Sequence, residues 1–139
     1  MIYCLFVGAF KEPRMEGLAN EFHKRLNRLW PVNLVVLKEK SKEIQRWVDQ
    51  HQGRGLFLSL DPAGKTMDSN EFARWVTQSS QDLYLCAWGA RGPLPDVDLP
   101  NSRKISLSPM TFSHELARVV LMEQLYRSGA ILKGHPYPK

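Results

Sequence analysis

Apolar residues follow two alternating rhythms along this chain. Met1–Val7 is a nearly unbroken apolar run closed by Gly8. The period then changes, and Leu18, Phe22, Leu26 and Leu29 recur on one side of a helix over Glu12–Leu29. Val32–Leu37 is a β-branched run opened by Pro31, and Lys42–His51 is a short helix striped by Ile44, Trp47 and Val48. Gly55–Leu60 is a strand that runs into the turn D-P-A-G-K. Asp68 or Ser69 is placed to cap a helix through about Gln78, with Phe72, Trp75 and Val76 inward. Asp82–Trp88 is a strand, G-A-R-G-P-L-P-D a loop and Lys104–Leu107 a short strand. Ser113 caps a long helix to about Ser128, where Gly129 is expected to stop it.

Strands that are apolar throughout must be covered on both faces, and strands alternating with helices imply parallel pairing. The expected architecture is therefore α/β: a mostly parallel sheet with helices on both faces, formed as one domain over residues 1–139. Ligands in such folds bind beyond the carboxyl ends of the strands. That rule gives weight to three loops, Asp61–Thr66, Gly89–Asp96 and Ser108–Ser113.

Composition adds limits. A hydrophobic share of 43% and a charged share of 24% suit a folded core. No apolar run approaches the ~20 residues of a membrane span, and the first ten residues lack the basic lead of a secretory signal. A cytoplasmic protein without membrane attachment is expected. Cys4 and Cys86 lie in strand-like runs without neighbouring ligands, which points to reduced core thiols and no metal. The formal net charge is +5. From Leu99 onward the bases are Arg103, Lys104, Arg118, Arg127, Lys133 and Lys139, against only Glu115 and Glu123. A nearly neutral body with a basic C-terminal third suggests a polyanionic partner.

The C-terminal third also carries dense motifs. Ser106, Leu107, Ser108, Met110, Thr111 and His114 fit S-L-S-x-M-T-x-x-H. Arg118 and Glu123–Arg127 fit the R-x-x-L-x-E-Q-L-Y-R that follows, and Ile131, Lys133, Gly134, Pro136 and Tyr137 fit the end. Upstream, Gly8 and Lys11 fit V-G-x-x-K; Leu60, Asp61, Gly64 and Lys65 fit L-D-x-x-G-K; Gly89 and Gly92 fit part of I-G-G-x-x-G-L. On these residues the chain resembles the RlmH (YbeA) family of SPOUT-class RNA methyltransferases. The resemblance implies a C-terminal deep trefoil knot over about residues 83–139, a departure from the usual absence of threading. It also implies a homodimer that uses S-adenosyl-L-methionine to methylate N3 of a pseudouridine in a stem-loop of large-subunit ribosomal RNA in the assembled ribosome.

Carried onto this chain, the resemblance assigns the cofactor to Leu60, Trp88, Gly89, Leu107, Ser108, Pro109, Met110, Thr111 and Phe112. L-S-P-M-T-F can offer adenine apolar walls and backbone hydrogen bonds; the plainer reading is a strand-to-helix turn. Trp88 stands where the family has the first of two glycines. Two readings stay open: backbone contact with the indole turned away, or an indole filling the pocket. Arg127, Tyr137 and His135 are the catalytic candidates. Arg127 would hold phosphate or stabilise carbonyl oxygens, or else simply pair with Glu123. Tyr137, His135 or a water would manage the N3 proton, with Pro138 standing where the family has a histidine. His114 is equally a cap residue or a catalytic one. Arg118, Lys133 and Lys139 are the RNA contacts, Arg118 alternatively pairing with Glu115. The competing function is a catalytically weakened RNA-binding protein of the same fold, supported only by Trp88 and Pro138. A nucleotide-binding module is disfavoured because the chain has no G-x-G-x-x-G or Walker pattern.

Overall fold

A computed structural model describes residues 1–137 of the chain. Among the described residues five strands and four helices follow in order, alternating except that β5 comes directly after β4: β1 Ile2–Val7, α1 Pro13–Leu29, β2 Val32–Leu37, α2 Ser41–His51, β3 Gly55–Thr66, α3 Ser69–Gln78, β4 Asp82–Ala87, β5 Arg103–Ser106 and α4 His114–Lys133. They build one sheet in the order β2-β1-β4-β3-β5, and every pairing is parallel.

The unbroken apolar runs have the expected cause. Successive side chains of a strand point to opposite faces, and both faces here are covered. Cys4 and Phe6 of β1, with Leu83, Leu85 and Ala87 of β4, pack beneath α1, α3 and α4. Leu5, Val7, Tyr84, Cys86 and Trp88 face Ile44 and Val48 of α2, where Leu94 of the β4–β5 connection closes the layer. Both thiols are buried, and burial pushes each well above its ordinary pKa, Cys86 to about 12. They are inert core groups on opposite faces.

Helix ends follow from local chemistry. Asp68 and Glu71 form a reciprocal capping box at α3, and Ser113 accepts the Leu116 N–H at the start of α4. Two boundaries differ from expectation. Helix α4 does not stop at Gly129 but continues to Lys133, and Gly134 caps it in the left-handed region at φ 64°. Gly129 is instead where α4 lies against α1. A Cβ there would sit 3.3 Å from Leu26 Cδ1 and 3.5 Å from the Cβ atoms of Leu29 and Trp30. The expected turn after Leu60 is also not the end of β3. Leu60 and Lys65 both register with Ile105, so residues 61–64 make a break in the ladder before the strand resumes. Gly64 permits this, because a Cβ would lie 2.6–2.8 Å from the Lys104–Ile105 backbone.

Candidate active site

Beyond the carboxyl ends of β3, β4 and β5 lies a cavity of about 400 Å³. Its walls come from the three loops that the sequence singled out. Leu60, Asp61 and Pro62 enter from β3; Trp88–Ala90, Gly92 and Pro93 follow β4; Leu107, Ser108 and Met110–His114 follow β5, with Ala117 one turn into α4. Size and lining suit a small molecule with an apolar body and a few polar groups.

The loop after β5 is held by its serines. Ser106 Oγ accepts the Ser108 N–H at 3.2 Å and donates to the Ser108 carbonyl at 2.7 Å, while Ser108 Oγ accepts the Met110 N–H at 3.0 Å. These side chains supply the hydrogen bonds that regular structure would otherwise give, so the backbone of 107–112 can line a cavity. Gly89 closes the opposite wall with no room to spare: a Cβ would stand 2.6 Å from Glu39 Oε2 and 3.0 Å from the Val7 carbonyl.

Of the nine residues expected at the cofactor, all but Pro109 line this cavity. Trp88 lines it too, but its indole lies among the core residues facing α2, and its Nε1 donates to Ser59 Oγ at 2.6 Å. Strand alternation explains the direction, because 84, 86 and 88 share a face. The sequence reading did not assign Asp61, Pro62, Ala90, Gly92, Pro93, His114 or Ala117 to the cofactor. Proximity to the three loops was the available signal for most of them. For His114 and Ala117 it was the i,i+3 spacing that puts both on one side of α4's first turn. Asp61 matters most, as the one carboxylate among the described residues of the wall; Lys104 Nζ lies 3.7 Å from it. His114 Nε2 lies 3.8 Å from Glu115, whose carboxylate accepts the backbone N–H groups of Lys11 and Glu12 at 3.0 Å each.

Arg118 corrects an expectation. It was assigned to RNA, yet it has no exposed surface. Its guanidinium donates to the carbonyls of Gly8 and Val7 and stacks on the rings of Phe6 and Phe10, at 5.1 and 4.9 Å from their centroids. The first α4 turns point into the molecule, so this cation ties α4 to the end of β1. Nor does it pair directly with Glu115, the other expectation; they interact only at longer range.

A second cluster sits at the far end of α4. Arg127 pairs with Glu123 at 2.9 Å, and its guanidinium lies 4.9 Å from the ring centroid of Tyr137. The Tyr137 ring meets Tyr126 edge-on at 4.6 Å. Burial, then a hydrogen bond to Glu123, raises the Tyr137 pKa, so the phenol keeps its proton at neutral pH. His135 is exposed and borders a hollow with Arg25, Arg28 and Tyr126. Lys133 is exposed in the last turn of α4, whereas Pro138 and Lys139 lie outside the described residues. At ~1.5 Å per residue, Arg127 is about 20 Å along α4 from His114. One chain therefore does not bring the catalytic candidates to the cavity.

His23 and His51, given no site role, bond to the backbone carbonyls of Val32 and Trp47 at 2.7 Å each. Among the described residues no three of His, Cys, Asp and Glu gather as a metal site, and no helix is long and apolar enough to cross a membrane.

Comparison with known proteins adds a family. The family described as "Predicted SPOUT methyltransferase" matches residues 1–138. The chain is 37% identical to ribosomal RNA large subunit methyltransferase H of Solibacter usitatus, covering 98% of this chain and 97% of that one. The protein of the same name from Gemmatimonas aurantiaca is 35% identical, covering 91% and 94% respectively. Among solved structures, a "probable methylase family protein" from Haemophilus influenzae Rd KW20 superposes with a TM-score of 0.61 at 10% identity. The match covers 99% of this chain and 72% of that one, and supports the fold alone.

Proposed function

The chain belongs to the SPOUT methyltransferase family, alongside the ribosomal RNA large subunit methyltransferases H, and from that premise we propose that the cavity holds S-adenosyl-L-methionine for transfer to N3 of a ribosomal pseudouridine. Methyl transfer to ribosomal RNA is the activity this membership carries. The donor and the nucleotide are our reading of the site. The observation that carries it is the cavity itself, roofed by the serine-held loop 106–113 at the carboxyl ends of three strands.

The residues fit that donor. Leu60, Leu107 and Phe112 provide walls for an adenine, the loop backbone offers hydrogen bonds, and the Asp61 carboxylate suits a cationic ligand. Trp88 leaves its place through the core direction of its indole, which supports an active site over a weakened one. When bound, the donor supplies an electrophilic methyl group. The chain's own task is to present N3, accept its proton and stabilise charge on the flanking carbonyl oxygens. Arg127, oriented by Glu123, is suited to those oxygens. Tyr137 keeps its proton and so serves as a hydrogen-bond donor. His135, or a water, is then the group to take the N3 proton.

These groups stand about 20 Å from the cavity within one chain, so the working site would combine the cavity of one copy with the tail of another. Exposed Leu18 on α1, with Ile131 and Leu132 on α4, offers apolar surface for such a homodimer. The threading expected of residues 83–139 and a cytoplasmic site of action belong to the same proposal. Nucleoside mass spectrometry of ribosomal RNA, from cells with and without the chain, tests the substrate. The expected result is loss of one methylated pseudouridine; an unchanged level would remove it. Calorimetric titration tests the donor, and no heat at millimolar S-adenosylmethionine would remove that part.

A further inference from the structure

The proposed function leaves unused a groove of about 630 Å³ between α3 and the sheet, where Leu56 of β3, Leu83 of β4 and Arg103–Ile105 of β5 line it. Lys65, Arg74, Arg103 and Lys104 stand along it, and Trp75 gives it a half-buried aromatic wall. Glu71 is its one acidic wall residue among the described residues, and that carboxylate already accepts the Asp68 N–H in the cap of α3. Lys65, Arg74 and Arg103 are exposed and form no ion pair among the described residues. Lys104 pairs with Asp61, which lines the methyl-donor cavity.

The groove also lies close to that cavity, separated from it by one smaller hollow. A hollow of about 300 Å³ shares Leu107 with the cavity on one side, and Met67 and Ile105 with the groove on the other. Lys65 ends the L-D-x-x-G-K motif. Leu60 and Asp61 of that motif serve the cavity, but the break at 61–64 returns Lys65 to the groove instead.

Resting on the reading above, we infer that this groove is a phosphate track, holding the backbone of the substrate ribosomal RNA along β5 as it leaves the donor cavity. Unpaired cations on the walls of a groove match phosphates, and an indole beside them can stack on an unpaired base. Charged residues on an edge strand also block strand pairing. That role explains Arg103 and Lys104 but not Arg74, which comes from α3 across the groove.

The test compares the wild-type chain with a Lys65→Gln, Arg74→Gln, Arg103→Gln triple variant. A conservative triple, Lys65→Arg, Arg74→Lys, Arg103→Lys, controls for shape. Affinity is measured on deproteinised large-subunit RNA and on intact large subunits, across a salt series, with S-adenosylmethionine titration as the fold control. The neutral triple is expected to lose at least tenfold in affinity on both probes. Its salt slope should fall by about 2, at ~0.7 per lost phosphate contact, while the conservative triple binds as wild type. If the neutral triple does not fold, single Arg103→Gln should lower the slope by about 0.7. Unchanged affinity and slope overturn the inference. Loss on ribosomes but not on naked RNA overturns it too, and assigns the groove to a ribosomal protein. A wild-type chain that binds neither probe nor the assembled ribosome overturns the methyltransferase reading itself, so the two failures are distinguishable.

Discussion

Replacing Arg118 by alanine should unfold the chain more readily rather than weaken its hold on RNA. The side chain is fully buried, and two of its nitrogens serve the Gly8 and Val7 carbonyls. Removing it leaves two acceptors without donors, at about 1–3 kcal/mol each. Its stacking on Phe6 and Phe10 adds about 0.5–2 kcal/mol. Against this, burial pulls the guanidinium pKa down, with Glu115 and Glu39 opposing, so the buried charge is itself a burden that alanine removes. The balance is a loss of about 3–5 kcal/mol, as for other broken buried charge contacts. At about 4 °C per kcal/mol for a chain of this size, the melting temperature should fall by ~12–20 °C. Arg118→Met, which keeps volume but no donors, should recover only part of it. Urea and thermal unfolding at fixed protein concentration measure both. A variant within ~1 kcal/mol of wild type, but with a shallower salt slope on ribosomal RNA, would refute the placement and return Arg118 to the surface.

Three further outcomes follow from close contacts and charge. Gly64→Ala puts a Cβ 2.6 Å from the Lys104 carbonyl carbon; overpacking of this kind should destabilise by about 1–3 kcal/mol, read as a lower urea midpoint. Trp88→Gly empties a core position, and should lose about 3–5 kcal/mol. Calorimetry should show no gain in S-adenosylmethionine affinity; a gain would mean that the indole occupies the donor's place. For Glu115, burial opposes ionisation. The N–H groups of Glu12 and Lys11, with His114 and Arg118, outweigh it and hold the carboxyl below its ordinary value. The folded pKa is the lower one, so this stabilisation is present at neutral pH. It is lost as pH falls below about 4.3, the unfolded value, and through the folded one. Glu115→Gln should flatten the acid limb of stability measured by urea midpoints; an unchanged limb would remove that role.

Much of the architecture was legible because it rests on local rhythm. Leu83 and Tyr84 are neighbours in sequence but serve opposite core layers, and only a strand covered on both faces needs both to be apolar. The three loops were legible for the same reason, since their places follow from strand direction. Tertiary packing overrode the local signals elsewhere. Gly129 has the sequence of a stop, yet its missing Cβ is used by α1. D-P-A-G-K has the sequence of a turn, but Gly64 lets the strand resume against Ile105. Arg118 looks like any helical cation. Its partners are the carbonyls of Val7 and Gly8, at the other end of the chain, and no local pattern reveals them.

The length of α4 links these points. Had the helix stopped at Gly129, Lys133 would lie off its axis and the tail would leave one turn earlier. Instead α4 packs on α1 through a glycine contact and on α3 as well, so its two ends are held at a fixed spacing. The first turn borders the cavity through His114 and Ala117, and the last turns carry Arg127 and the approach to Tyr137. A rigid rod that keeps the cavity and the Arg127–Tyr137 cluster about 20 Å apart cannot bend to unite them. Catalysis by one isolated copy is therefore excluded on this reading. Mixing a cavity-defective chain with a tail-defective one should restore activity that neither has alone. The expected ceiling is about one quarter of the wild-type rate per chain, because half the dimers are mixed and each has one intact composite site. Absence of complementation, with dimers demonstrably formed and exchanged, would mean that the tail of each chain reaches its own cavity.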